Sequence, residues 1–199
     1  MNSPFHDQIS RRPRIFNVLH KLRLIAPQTQ THPAERAVLK RYIKECVAAV
    51  EVGTYMGVTA AELASELPQG GMLYCVDPYL NDDPYQRVAQ RHFARQKVTS
   101  RIQILAATST QAASVLPAEV DFFFVDGDHS RKGLEADWRV VLQLLKKNGV
   151  AAFHDTSPVH EKDRNSIEAI AFFDEVIKPD RRFKLVETCM STNILVRLA

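Results

Sequence analysis

Short apolar, β-branched runs alternate with longer stretches of helical period along almost the whole chain. The runs Val47–Val52, Met72–Val76, Ile102–Ala106, Val120–Val125 and Val150–Phe153 have the length and continuity of strands buried on both faces. Between them, apolar residues three and four apart predict helices over 33–44, 59–67, 84–97, 110–116, 132–147 and 165–177. Alternation of this kind predicts a three-layer α/β sandwich built on a mostly parallel sheet. Two closely spaced late runs, Phe183–Glu187 and Asn193–Arg197, predict an antiparallel hairpin at the sheet edge. Pro33 opens a helix where a missing N–H costs nothing, and Pro68 with Gly70-Gly71 closes another. Asn148-Gly149 after Lys146-Lys147 predicts a helix stop, with cations at the negative end of the dipole. Near the N-terminus Ile15, Leu19 and Leu22 fall at helical spacing. They predict a short amphipathic helix that either covers a pocket or pairs subunits as a homodimer. Residues 1–30 are thus expected to form a helical extension of a single domain over 31–199.

Composition narrows this picture a little. A chain of 199 residues can bury a sizeable core, and no apolar run reaches the roughly 20 residues of a membrane span. The basic start (Arg11, Arg12, Arg14) lacks the apolar stretch of a secretory leader, so a cytoplasmic protein with no membrane partner is expected. Cys46, Cys75 and Cys189 have no metal-type spacing and suit a reducing compartment, with Cys75 in the core. The net charge of +3, with basic residues spread along the chain, permits an anionic substrate without pointing to nucleic acid.

Chemistry concentrates where the strands end. The first strand runs into Glu51-Val52-Gly53-Thr54-Tyr55-Met56-Gly57. Gly53 allows a sharp turn, and Gly57 is expected to let the next helix start close to a ligand. Tyr55 and Met56 break the GxGxxG spacing, so a dinucleotide pyrophosphate fits poorly. Asp77, ending the second strand, stands where a carboxylate accepts ribose hydroxyls. Glu51, at the end of an apolar strand, needs a cationic partner; the ammonium of S-adenosylmethionine would serve, whereas a phosphate would be repelled. After the fourth strand come Asp126-Gly127-Asp128-His129-Ser130, and after the fifth His154-Asp155-Thr156. Ser130 is expected to cap a helix and Asp128 to shape the turn. Asp126, His154 and Asp155 are expected to converge, and such a group either shares protons or holds a cation. Two carboxylates favour Mg²⁺ or Ca²⁺; His154 moves the preference toward Mn²⁺, Fe²⁺ or Zn²⁺, or else only orients the loop.

These segments, with Val76-Asp77 and Gly149–Asp155, resemble in order the class I methyltransferases of methyltransferase family 24. That group is similar to macrocin, macrolide-sugar, catechol and caffeoyl-CoA O-methyltransferases. The resemblance covers residues 33–156 with specific motifs. It implies a seven-stranded sheet of order 3-2-1-4-5-7-6 and S-adenosylmethionine over the first two strands. Glu51, Gly53, Thr54, Tyr55, Gly57, Asp77 and Asp126 would then hold the cofactor, with Thr108 and Ser109 at the adenine unless they merely cap a helix. It also implies a divalent metal on Asp126 and His154-Asp155, although metal-binding relatives carry an acid where this chain has His154. His129 matches the proposed general base.

The resulting expectation is O-methylation of a small hydroxylated acceptor, a sugar or phenolic ring, by His129 and Asp126, with Mg²⁺ or another divalent metal assisting. Methylation of a tRNA base hydroxyl, a non-catalytic binding module and a cephalosporin-hydroxylase-like branch are the alternatives. Trp138 and Cys75 read as core, His6, His20 and His32 as surface residues, and His160–Arg164 as a lid over the acceptor.

Overall fold

A computed structural model describes residues 9, 12–81, 84–158 and 167–199. The elements are α1 (Pro13–Lys21), α2 (Pro33–Ile43), β1 (Ala48–Val52), α3 (Val58–Glu66), β2 (Met72–Val76), α4 (Pro84–Gln96) and β3 (Ile102–Leu105). They continue with α5 (Ser109–Ala112), β4 (Val120–Val125), α6 (Arg131–Leu144), β5 (Leu145–Phe153), α7 (Ile167–Phe172, running into a π turn), β6 (Phe183–Cys189) and β7 (Thr192–Arg197). The seven strands lie in the order β3-β2-β1-β4-β5-β7-β6, parallel from β3 to β5 and antiparallel through β7 and β6. This is the expected α/β sandwich with its edge hairpin.

The period of two along β4 explains the layering. Phe123 and Val125 face a core with Trp138, Phe153 and Phe173, under α6 and α7. Phe122 and Phe124 face the opposite core with Leu39, Leu63 and Phe93, under α2, α3 and α4. Each side chain is removed from water on its own face, so a one-residue slip of β4 would exchange the two cores. Trp138 and Cys75 are core residues as expected.

Local signals misplace two helix ends and one histidine. Helix α6 stops at Leu144 rather than after Lys147. Leu145 instead pairs with Val120, Lys146 bonds Asp121, and the irregularity in the β4–β5 register absorbs Asn148 at φ +63°. On α1 the expected Ile15/Leu22 stripe faces outward, and Phe16 and His20 are the buried pair. His20 is therefore no surface residue: its Nε2 lies 2.9 Å from Arg95 on α4. Helix α5 spans four residues, capped by Thr108, whose hydroxyl accepts from Gln111 N. His6 and the expected lid at 160–164 lie outside the described residues.

Candidate active site

Backbone bonds past the strand ends hold the loops together. Gly53 N donates to Val76 O, Asp77 N to Leu105 O, Asp126 N to Val52 O, and His154 N to Val125 O, all at 2.8–3.1 Å. The loops after β1 to β4 enclose one cavity of about 910 Å³, and the tie from His154 holds the β5 loop beside it. Gly53 is required: at φ +88°, a Cβ there would sit 2.0 Å from the Asp126 carbonyl oxygen. Gly57 plays a different part from the one expected. Its missing Cβ faces the Phe93 ring on α4 rather than the cavity, so it serves helix packing.

Of the expected cofactor residues, Glu51, Gly53, Thr54, Tyr55, Asp77, Thr108, Ser109 and Asp126 line the cavity. Asp77 accepts from Thr54 N at 3.0 Å and Tyr55 N at 2.9 Å on one oxygen, and from Tyr79 N at 2.9 Å on the other. It therefore shapes the β1 loop as well as facing the cavity. Glu51 is 1% exposed, and its Oε2 has no partner among the described residues; neither does the buried Thr54 hydroxyl. Burial, with Asp126 and Asp77 nearby, pushes the Glu51 carboxyl up to about 8. Ser109 donates to Asp137 at 2.5 Å, and burial raises the Asp137 carboxyl to about 6. Asp137 lies mid-helix on α6, away from any strand end, which is why the sequence did not single it out.

Beyond β4 and β5 the imidazoles and carboxylates do converge. His154 is buried with Nδ1 2.9 Å from Asp126 Oδ1, although off the line of a hydrogen bond. Its Nε2 lies 3.3 Å from Glu35 Oε2. Burial alone would lower the ring's pKa, but the carboxylates on its two nitrogens override burial and raise it to about 10. His129 spans two acids, with Nε2 3.5 Å from Asp126 Oδ1 and Nδ1 3.6 Å from Asp155 Oδ2. Asp126 chiefly holds the His129 pKa above its ordinary value. Burial would raise Asp126, yet the two rings win and keep it below the usual carboxylate range. Asp155 adopts φ +54°, and neither it nor His154 lines the cavity itself. Ser130 accepts from Gly133 N and Asp128 from Ser130 N, the cap and turn expected of them.

Glu35, at the third position of α2, is a second residue that sequence reasoning missed. It is 2% exposed and accepts from His32 N, Ser191 N, and the hydroxyls of Ser191 and Thr192. These bonds and His154 hold its carboxyl down at about 2 against its burial. The available signal was the His32-x-x-Glu35 capping box, which explains the bond to His32 but not those to His154, Ser191 and Thr192, 119 to 157 positions away.

Asp126 Oδ1, His129 Nε2 and His154 Nδ1 all lie within 4.8 Å of one another. One oxygen and two nitrogens form a donor set that fits a first-row divalent ion, with Glu35 on the far nitrogen of His154 orienting the ring. Asp155 stands one step outside this set.

Comparisons with known proteins agree with the geometry. A probable caffeoyl-CoA O-methyltransferase of Dictyostelium discoideum is 24% identical over 110 residues, covering 53% of this chain and 42% of that protein. The chain thus matches less than half the length of that curated relative. An O-methyltransferase from Bacillus cereus, solved with S-adenosylhomocysteine, superposes with a TM-score of 0.70 at 19% identity, over 96% of this chain and 90% of that one. A putative O-methyltransferase from Klebsiella pneumoniae gives 0.71 at 16% identity, over 100% and 92% of the two chains. Residues 50–156, more than half of the chain, match the family model of the methyltransferase domain numbered 24. The chain belongs to methyltransferase family 24.

Proposed function

We propose that this protein transfers a methyl group from S-adenosylmethionine to a hydroxyl of a small acceptor. The observation that carries this reading is Glu51, a buried carboxyl group on the cavity wall with an oxygen that has no partner among the described residues. The cavity's charge supports it. Among the described residues, Glu51, Asp77, Asp126, Asp128 and Asp137 line the cavity with one lysine, Lys132. Such a wall favours a ligand bearing a sulfonium and an ammonium and repels a pyrophosphate or a polynucleotide backbone. The family membership and the B. cereus complex with S-adenosylhomocysteine point the same way.

When bound, the donor supplies an electrophilic methyl group, which the acceptor oxygen takes as the carbon–sulfur bond breaks. The rest falls to the chain's own residues. Glu51 answers the ammonium charge. Asp77, with lone pairs left beyond its three backbone bonds, accepts the ribose hydroxyls. Thr108 and Ser109 border the adenine. His129, aligned by Asp126 and Asp155, takes the acceptor's proton as the oxygen attacks. The acceptor class is a small hydroxylated molecule such as a sugar or a phenolic ring. Asp126, His154 and His129, or Asp155 in place of His129, would hold a divalent ion; such an ion would lower the pKa of the acceptor hydroxyl.

Calorimetry with S-adenosylhomocysteine and with NAD tests the cofactor. Binding of the first and not the second is expected; tight NAD binding with no response to S-adenosylhomocysteine would overturn the reading. Transfer of labelled methyl to a panel of sugars and phenols, with and without EDTA, tests the acceptor and the ion.

A further inference from the structure

Helix α1 turns four large apolar residues to solvent. Ile15 is 43% exposed, Val18 55%, Leu22 60% and Leu24 67%. The first three are spaced three and four apart and form one outward row, while Phe16 and His20 anchor the opposite side. Exposed cations flank the row: Arg12, Arg14, Lys21 and Arg23, none of them with an acidic partner among the described residues. The stretch 9–34 contains five Lys and Arg residues and no Asp or Glu. Helix α4 packs against the Phe16 and His20 side of α1, where Arg91 bonds Asn17 and Arg95 bonds the carbonyl and ring of His20, both neutral groups. Arg12 and Arg14 stand at one end of the exposed apolar row, and Lys21 and Arg23 at the other.

Charge and apolarity together select the partner. A second copy docking through this face would set cations against cations, with no acid among the described residues of 9–34 to answer them. A polynucleotide would use the cations but gain nothing from Val18, Leu22 and Leu24. A bilayer with anionic headgroups answers both features, because the apolar row enters the acyl boundary while the flanking Lys and Arg stay among the phosphates. We infer that the α1 face docks this protein peripherally on an anionic lipid surface. No helix among the described residues is long and apolar enough to cross a membrane, so the contact lies in the interface plane. The chain continues from Leu24 to Gln28, Thr29 and Gln30, which line the active cavity. Docking therefore holds the mouth of that cavity near the lipid surface.

Co-sedimentation of the full chain with vesicles tests this. Vesicles of equal phosphatidylglycerol and phosphatidylcholine should bind at least ~10-fold more tightly than phosphatidylcholine alone, and raised salt should release the protein. The pair Val18→Gln/Leu22→Gln should weaken binding to anionic vesicles by about 10-fold or more. Arg14→Gln/Lys21→Gln should remove the preference for anionic lipid. These positions are exposed, so unchanged thermal unfolding is expected of every variant. Failure of the wild-type chain to sediment with anionic vesicles overturns the inference. So does undiminished binding by Val18→Gln/Leu22→Gln, which would leave a purely electrostatic surface for polyanions. A dimer in solution that this pair dissociates, without vesicle binding, would make a second copy the occupant and equally overturn it.

Discussion

The cavity at the strand ends and the outer face of α1 are opposites in charge. Among the described residues the first gathers five acids and one lysine, and the second gathers cations with no acid. The net charge of +3 over the whole chain gives no sign of this separation. Like charges held together repel, and folding tolerates the cost where a ligand of opposite sign answers them. The two regions also differ in how they are built. Cavity carboxylates are fixed by backbone N–H groups and buried rings, so they are preorganised for one ligand geometry. The cations on and beside α1 are exposed and have no acidic partner among the described residues, which suits a fluid, adaptable surface.

Changes on the cavity side should leave vesicle binding untouched, so the α1 face serves as the internal reference for each. The largest effect is expected of His129→Ala. It should lower the methyl-transfer step by roughly 10²–10⁴-fold, the range for a lost general base, while S-adenosylhomocysteine binds as before. Single-turnover kinetics read the first and calorimetry the second. An equal loss of cofactor affinity would recast His129 as a binding residue.

Next comes Glu35→Ala, which removes one acceptor from five donors and leaves His154 with a carboxylate on one side only. Breaking a buried charged network costs about 3–5 kcal/mol, so urea unfolding should shift by that order. A shift within the error of the method would mean that the fold closes over this site without Glu35.

A smaller and pH-dependent effect belongs to Glu51. Its carboxyl is raised from 4.5 to about 8 in the folded chain, so the folded state favours the protonated form. That contribution is complete below pH 4.5 and is lost as pH rises through 8. Ligand-free protein should therefore lose a few kcal/mol at most, by linkage, between pH 5 and 8 relative to Glu51→Gln. His154, raised from 6.5 to about 10, adds a loss of the same sign between those values in both proteins. Unfolding curves at pH 5, 7 and 9 that stay parallel for wild type and Glu51→Gln would show that Glu51 ionises freely. S-adenosylhomocysteine, which carries an ammonium, should reduce the difference.

Much of the molecule was legible in its sequence, and for local reasons. The apolar runs marked all seven strands, most plainly β4, where burial on both faces demands a continuous run of Phe and Val. Asp77 and Asp126 stood out because a carboxylate that ends such a run is costly unless it is used. The turn at Gly53 and the cap at Ser130 were equally local, and both stand as read.

Other features depended on partners that no local pattern names. Glu35 meets His154 across 119 residues and Ser191 across 156, so its capping-box position alone gave no hint of the network. Gly57 was read from its neighbours in sequence as a ligand contact; the Phe93 ring, 36 positions on, decided that it is a packing site. Lys146 and Lys147 had the look of a helix end until Val120 and Asp121 drew that segment into the sheet. On α1, periodicity found the apolar row but not which side faces α4, and the bonds from Arg91 and Arg95 turn Phe16 and His20 inward. Period and punctuation determine which elements form. Which face is buried, and which charges meet, is decided only when contacts distant in sequence compete for the same space.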